Sequence, residues 1–244
     1  MRGLYAIVDV GALGRCLPSS PRRAPSADVL AFAEAILEAR PAAVQLRDKH
    51  GSPSEMLELL RGLVPLSARA GVPLYANDRP DLAALAGCAG VHLGQGDVPA
   101  TVARQVAARS GRALQVGLSS HDAAEVDAAL AAQPDYLAIG PVFATHNKER
   151  PAPVLGIPGL QDLAARARSA RPRLDLVGIG GVTVTRAAEV AAVCEAVAVI
   201  GALLPPPVRG HSLDAAALAD VRGRAAALVS AIHGARGRDI TEAK

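Results

Sequence analysis

Tryptophan is absent from this chain of 244 residues, and three tyrosines and two phenylalanines are its whole aromatic content. A surface that stacks nucleobases needs aromatic platforms, so a nucleic-acid partner is not expected. Cysteine is almost as scarce. Cys16, Cys88 and Cys194 are odd in number, far apart and without metal-ligand spacing. They read as free thiols of a reducing cytoplasm, not as a disulfide framework or a zinc site. No apolar run is long enough to span a membrane. The opening Met1-Arg2-Gly3-Leu4-Tyr5-Ala6-Ile7-Val8-Asp9 is too short for a signal-peptide core and is cut off by an acid. Neither sign of charge dominates, since 26 Lys and Arg face 23 Asp and Glu for a net +3. No Gly-x-Gly-x-x-Gly follows the first strand, which removes the usual dinucleotide site.

Half of the residues are hydrophobic, ample for one sizeable core. Short β-branched runs alternate along the chain with Ala/Leu-rich amphipathic stretches. The strands fall at 4–8, 43–47, 73–77, 90–93, 113–118, 135–140, 174–178 and 196–200. Helices follow at 27–39, 53–70, 80–87, 98–110, 121–132, 158–170, 183–193 and 213–232. Strand–helix alternation predicts a parallel sheet, and eight units with short connections predict a single-domain α/β fold, the (β/α)8 TIM barrel, over 1–232. A doubly wound open sheet is the alternative. The loop 9–26, with three prolines, is expected to be a mobile flap over the barrel mouth, and 233–244 a polar, frayed tail.

In such a barrel the active site lies at the C-terminal ends of the strands, and the unusual residues fall there repeatedly. The second strand turns cationic at Gln45-Leu46-Arg47-Asp48-Lys49. Alternate side chains share a face, so Gln45, Arg47 and Lys49 converge into a cradle suited to a polyanion. A solvated strand end is the plainer reading. Asp78 and Asp97 sit at the next two strand ends. Each alone would read as a helix cap; beside the cationic face, the pair suggests Mg²⁺ bridging a diphosphate. Gly180-Gly181 and Ile200-Gly201 end strands seven and eight, the frequent backbone-lined phosphate site of these barrels. Two anion sites suit the joining of two phosphorylated molecules with diphosphate leaving. His92 is read as interior packing, His121 as first-turn and His146 as loop. Ser119 has no nucleophile-elbow context and reads as a hydroxyl donor to phosphate.

Together these motifs make the chain resemble the thiamine-phosphate synthase family along nearly its whole length. The matching stretches are Leu4-Tyr5, Gln45-Leu46-Arg47-Asp48-Lys49, Asn77-Asp78-Arg79, Gly90-Val91-His92-Leu93-Gly94-Gln95 through Asp97, Gly117-Leu118-Ser119, Gly140-Pro141-Val142-Phe143-Ala144-Thr145 through Lys148, and Gly178-Ile179-Gly180-Gly181-Val182. The resemblance implies a transferase that joins 4-amino-5-hydroxymethyl-2-methylpyrimidine diphosphate to a thiazole phosphate, giving thiamine phosphate and pyrophosphate. It implies that Gln45, Arg47, Lys49, Asn77, Ser119 and Lys148 bind the pyrimidine diphosphate, with Arg47, Lys49, Ser119 and Lys148 stabilising the leaving group. Asp78 and Asp97 would hold Mg²⁺. Thr145 to Asn147, Gly181, Ile200 and Gly201 would form the thiazole-phosphate site. The family reaction is dissociative and needs no general base. Three positions depart from the family pattern: Asn147 stands where Thr or Ser is common, Gly201 where Ser is common, and Gly96 where an acid is common. The implied partners are the two small-molecule substrates, with no nucleic acid and no membrane; a homo-oligomer is left open. Two rivals remain. One is a thiazole tautomerase of the same fold using His121 for proton transfer; the other is a non-catalytic phosphate-ligand-binding barrel.

Overall fold

Eight short strands close on themselves in the computed structural model, which describes residues 1–18, 22–145 and 152–239. They are β1 (Gly3–Asp9), β2 (Ala43–Arg47), β3 (Leu74–Asn77), β4 (Gly90–Leu93), β5 (Gln115–Ser120), β6 (Tyr136–Ile139), β7 (Asp175–Ile179) and β8 (Ala196–Val199). All pairs are parallel and run in chain order. The seam is closed by β1 against β8, with Gly3 opposite Ala196 and Tyr5 opposite Ala198. The single-domain (β/α)8 barrel is therefore the fold.

Both faces of these strands are buried, as expected when helices cover the outside and side chains fill the inside. The alternation is clean. Leu4, Ala6, Val8, Val44, Leu46 and Leu137 pack outward into the helix layer. Tyr5, Ile7, Tyr75, Tyr136, Ala138, Val177 and Ala198 form a separate inner cluster. All three tyrosines of the chain are therefore inside the barrel, with ring centroids 5.6–5.8 Å apart and mutually tilted. Gly117 makes room for one of them, since a Cβ there would lie 1.9 Å from Tyr136 Cζ.

The helices are α1 (Val10–Gly14), α2 (Ser26–Leu37), α3 (Pro53–Ala70), α4 (Pro80–Ala86), α5 (Ala100–Arg109), α6 (Ala123–Ala131), α7 (Gly156–Ala170), α8 (Ala187–Ala191) and α9 (Ala215–Asp239). Local chemistry sets α3. Ser52 and Glu55 form a capping box, Pro53 starts the helix, and Gly71 ends it in the left-handed conformation.

Two expectations need correction. The described part of 9–26 is not a free flap. Asp9 caps α1, whose five residues are all buried, and Leu17 and Ala24 join the core. The segment after 232 is not frayed at its start. Helix α9 continues to Asp239, Ala235 is buried, and a Cβ on Gly3 would lie 3.7 Å from the His233 ring. Among the described residues no helix is long and apolar enough to cross a membrane.

Candidate functional site

A cavity of about 610 Å³ opens at the C-terminal ends of the strands. Of the sequence-predicted site residues, Gln45, Arg47, Lys49, Asn77, Asp78, Asp97, Ser119, Thr145, Gly181, Ile200 and Gly201 all line it. Asn147 and Lys148 lie outside the described residues, as does His146.

The strand-2 face forms as the alternation requires, but its cations are not loose. Arg47 lies beside Asp9 in the ladder, and its Nη1 donates to Asp9 Oδ2. The other carboxylate oxygen of Asp9 accepts the Ala12 amide at 2.7 Å. One buried acid thus ties the start of α1 to the guanidinium and fixes where it points. Lys49 Nζ pairs with Asp78 Oδ2. Gln45 is 2% exposed and turns its amide nitrogen to Tyr5 Oη at 2.9 Å.

Neither Asp78 nor Asp97 serves as a helix cap. The N-cap positions of α4 and α5 are Arg79 and Pro99, without side-chain caps. Asp78 holds a left-handed backbone (φ 64°), pinned by its amide donating to the His92 carbonyl at 2.8 Å. Non-glycine residues enter that region at a cost, which is a sign of imposed geometry. Asp97 accepts the Gly94 amide at 2.7 Å. Burial and the neighbouring Asp78 carboxyl hold the Asp97 carboxyl above its usual range, opposed by the Gly94 amide and Lys49. Asp78 and Asp97, adjacent at the edge of the basic cradle, are the carboxyls that could hold a hard divalent cation, and among the described residues no group of three or more His, Cys, Asp or Glu offers a fuller ligand set. Lys49 supplies the positive charge there.

The opposite wall is backbone-rich. Gly180 and Gly181 both have positive φ (106° and 62°), and a Cβ at Gly181 would lie 2.3 Å from the Ala144 carbonyl oxygen. That approach admits only glycine, and both residues line the cavity with bare backbone. Gly201 opens a 3-10 turn, Gly201–Leu203.

Arg186 and Ser120 line the cavity but were given no role in the sequence reading. Arg186 is the cation of this wall among the described residues, its guanidinium 4.6 Å over the Phe143 ring. It lies beyond the end of β7, so no strand pattern marks it. Ser120 is 1% exposed, and its Oγ has no partner among the described residues. His121 precedes α6 rather than opening it, with Nδ1 2.6 Å from Glu125 Oε2. His92 is interior, as read, but it also bonds Tyr136 and Ser119.

The thiamine monophosphate synthase family model (TMP-TENI) matches residues 17–203. A thiamine-phosphate synthase of Koribacter versatilis is 40% identical over 210 residues, covering 84% of this chain and 90% of that one. The Chloroflexus aurantiacus thiamine-phosphate synthase is 38% identical over 175 residues, 71% of this chain and 77% of its own. A solved thiamine phosphate pyrophosphorylase from Pyrococcus furiosus superposes with a TM-score of 0.73 at 26% identity, covering 96% of both chains. A tryptophan synthase subunit alpha from Legionella pneumophila, TM-score 0.67 at 15% identity over 96% of this chain and 93% of its own, shares the fold alone. The matched segment spans seven of the eight strands and both walls of the cavity, so the chain belongs to the thiamine monophosphate synthase family, and it is a transferase of thiamine biosynthesis.

Proposed function

We propose that this protein condenses 4-amino-5-hydroxymethyl-2-methylpyrimidine diphosphate with a thiazole phosphate, releasing pyrophosphate and thiamine phosphate. The observation that carries the reading is the two-ended cavity. Arg47, Lys49, Asp78 and Asp97 gather at one end; Gly180, Gly181, Gly201 and Arg186 lie at the other.

The diphosphate belongs at the first end. Arg47 and Lys49 would take its oxygens, and Ser119 would donate a hydroxyl. Lys148 joins this set by resemblance. Asp78 and Asp97 would hold Mg²⁺, which when bound neutralises charge on the leaving diphosphate. Gln45 and Asn77, both buried on the cavity wall, would orient the pyrimidine. The second phosphate belongs against the Gly180-Gly181 and Ile200-Gly201 backbone, with Thr145 and Asn147 on the thiazole side.

In this reading the bond from the pyrimidine methylene to the diphosphate oxygen breaks first, and the electron pair leaves with pyrophosphate. The thiazole nitrogen then gives its lone pair to the methylene cation. No proton moves in either step, so the side chains act by charge and position.

The test is direct: purified protein, both substrates and Mg²⁺, with thiamine phosphate and pyrophosphate measured. Equimolar appearance of the two is expected. Tight substrate binding without product would make the chain a binding barrel. His121 and Glu125 at the cavity edge are what the tautomerase alternative needs. Isomerisation of a thiazole carboxylate phosphate without thiamine phosphate formation would favour it.

A further inference from the structure

A row of polar side chains crosses the cavity floor. Gln45 Nε2 donates to Tyr5 Oη at 2.9 Å, and Tyr5 Oη lies 2.8 Å from Tyr136 Oη. Tyr136 Oη lies 2.9 Å from His92 Nδ1, and His92 Nε2 lies 2.8 Å from Ser119 Oγ. The row runs from β2 through β1, β6 and β4 to β5. Tyr5 and Tyr136 are 1% and 2% exposed, so both rings are buried among these partners.

The contact between His92 and Ser119 looks like a base beside a nucleophile. Proton accounting turns it round. A phenol carries one proton and a buried one needs an acceptor. Tyr5 Oη already accepts from Gln45, and its other partner among the described residues is Tyr136. The Tyr5 proton therefore goes to Tyr136 Oη. The Tyr136 proton then goes to His92 Nδ1. An accepting Nδ1 makes the ring the neutral Nε2–H tautomer, which donates to Ser119 Oγ. Ser119 keeps its own proton for the cavity that it lines. The reverse polarity would aim the Gln45 N–H and the Tyr5 O–H at each other and leave a buried donor unpaired.

We propose that Gln45, Tyr5, Tyr136 and His92 form a one-way hydrogen-bond chain that sets Ser119 as a donor to the diphosphate, with Tyr136 and His92 as positioning residues. This rests on the diphosphate assignment above. It explains why the interior of an aromatic-poor chain holds two joined tyrosines. Burial drives both phenols well above their usual range. They stay protonated across physiological pH, and ionisation does not reverse the chain.

The experiment is histidine ¹⁵N NMR on the full-length, ligand-free protein, with His92 assigned by His92→Gln. An unprotonated Nδ1 and a protonated Nε2 are expected. A proton on Nδ1, alone or with Nε2, overturns the proposal. A Gln45 amide turned over, with Oε1 toward Tyr5, would permit that reverse polarity. Tyr136→Phe keeps the ring and removes the proton that fixes Nδ1. It is expected to populate the Nδ1–H tautomer and to weaken inorganic pyrophosphate binding, measured calorimetrically with Mg²⁺, by about three- to tenfold. Ser119→Ala should then cost less in the Tyr136→Phe background than alone. Additive losses overturn the coupling. The tautomer is read without substrate. An inactive protein with Nε2–H would therefore sink the synthase reading alone, and an active one with Nδ1–H would sink this chain alone.

Discussion

Arg47 owes its position to a single buried acid. Asp9 holds it from one oxygen and caps α1 with the other. If Arg47 takes the leaving diphosphate, Arg47→Ala should lower kcat/KM at least about 100-fold, the scale of losing a strong charge-stabilising donor. The circular dichroism spectrum should be unchanged, and near-wild-type turnover would remove Arg47 from the site. Asp97→Asn removes one of two adjacent carboxyls. The Mg²⁺ concentration for half-maximal rate should rise about tenfold or more; an unchanged titration would take Asp97 out of the metal site. Gly117→Ala tests packing instead. Its Cβ would overlap the Tyr136 ring, so urea unfolding should show a loss of about 1–3 kcal/mol, and a neutral result would mean the ring has room to move. At this scale the sequence was informative where period two applied. Gln45, Arg47 and Lys49 fall on one face by alternation alone. Asp9 was passed over as the acid that ends a strand, because its partner is 38 positions away and only the β1–β2 ladder joins them.

Elements with their own end signals were legible. Helix α3 carries Ser52, Pro53, Glu55 and Gly71, and its bounds in the structure match the expected 53–70. Elements whose ends depend on neighbours were not. Strand β5 runs to Ser120, two residues beyond the apolar run, because Ser119 and Ser120 pair with Ala138 and Ile139. Helix α8 starts at Ala187, not 183, since Thr183 and Thr185 bond each other and the Arg186 amide closes a turn onto the Thr183 carbonyl. Between elements, Glu195 joins β7 to α7, accepting the Leu176 amide and Arg168 Nη2, each at 2.9 Å. Burial pushes its carboxyl up, but the Leu176 amide and the Arg168 guanidinium outweigh burial and hold it below the usual range. A depressed carboxylate stabilises the fold above its unfolded pKa, and that contribution is lost as pH falls through the folded value. Glu195→Gln should therefore cost about 1–2 kcal/mol at pH 7 and much less near pH 3, by denaturant titration at both. An equal cost at the two pH values would show that the charge is irrelevant.

Closure of the barrel makes the site. The β1–β8 seam brings the first and last strands together, and α9 packs over it against α2, α8 and β1. Because α9 stays helical to Asp239 with Ala235 buried, a chain ending at residue 232 should melt about 2–4 °C below one ending at 239. Equal melting temperatures would mean that the last two turns add nothing. The chemistry of each strand end was written in the sequence, since alternation, glycine pairs and a cationic strand terminus are local patterns. So was the barrel itself, because eight repeats of strand and helix have few other ways to bury both strand faces. The tertiary structure alone decided which charges meet. It paired Arg47 with Asp9 and Lys49 with Asp78, set Arg186 over Phe143, and lined up Gln45, Tyr5, Tyr136, His92 and Ser119 from five strands. Those partners are distant in sequence and adjacent only inside a closed sheet, where neighbouring strands lie about 4.8 Å apart and every inward side chain shares one interior.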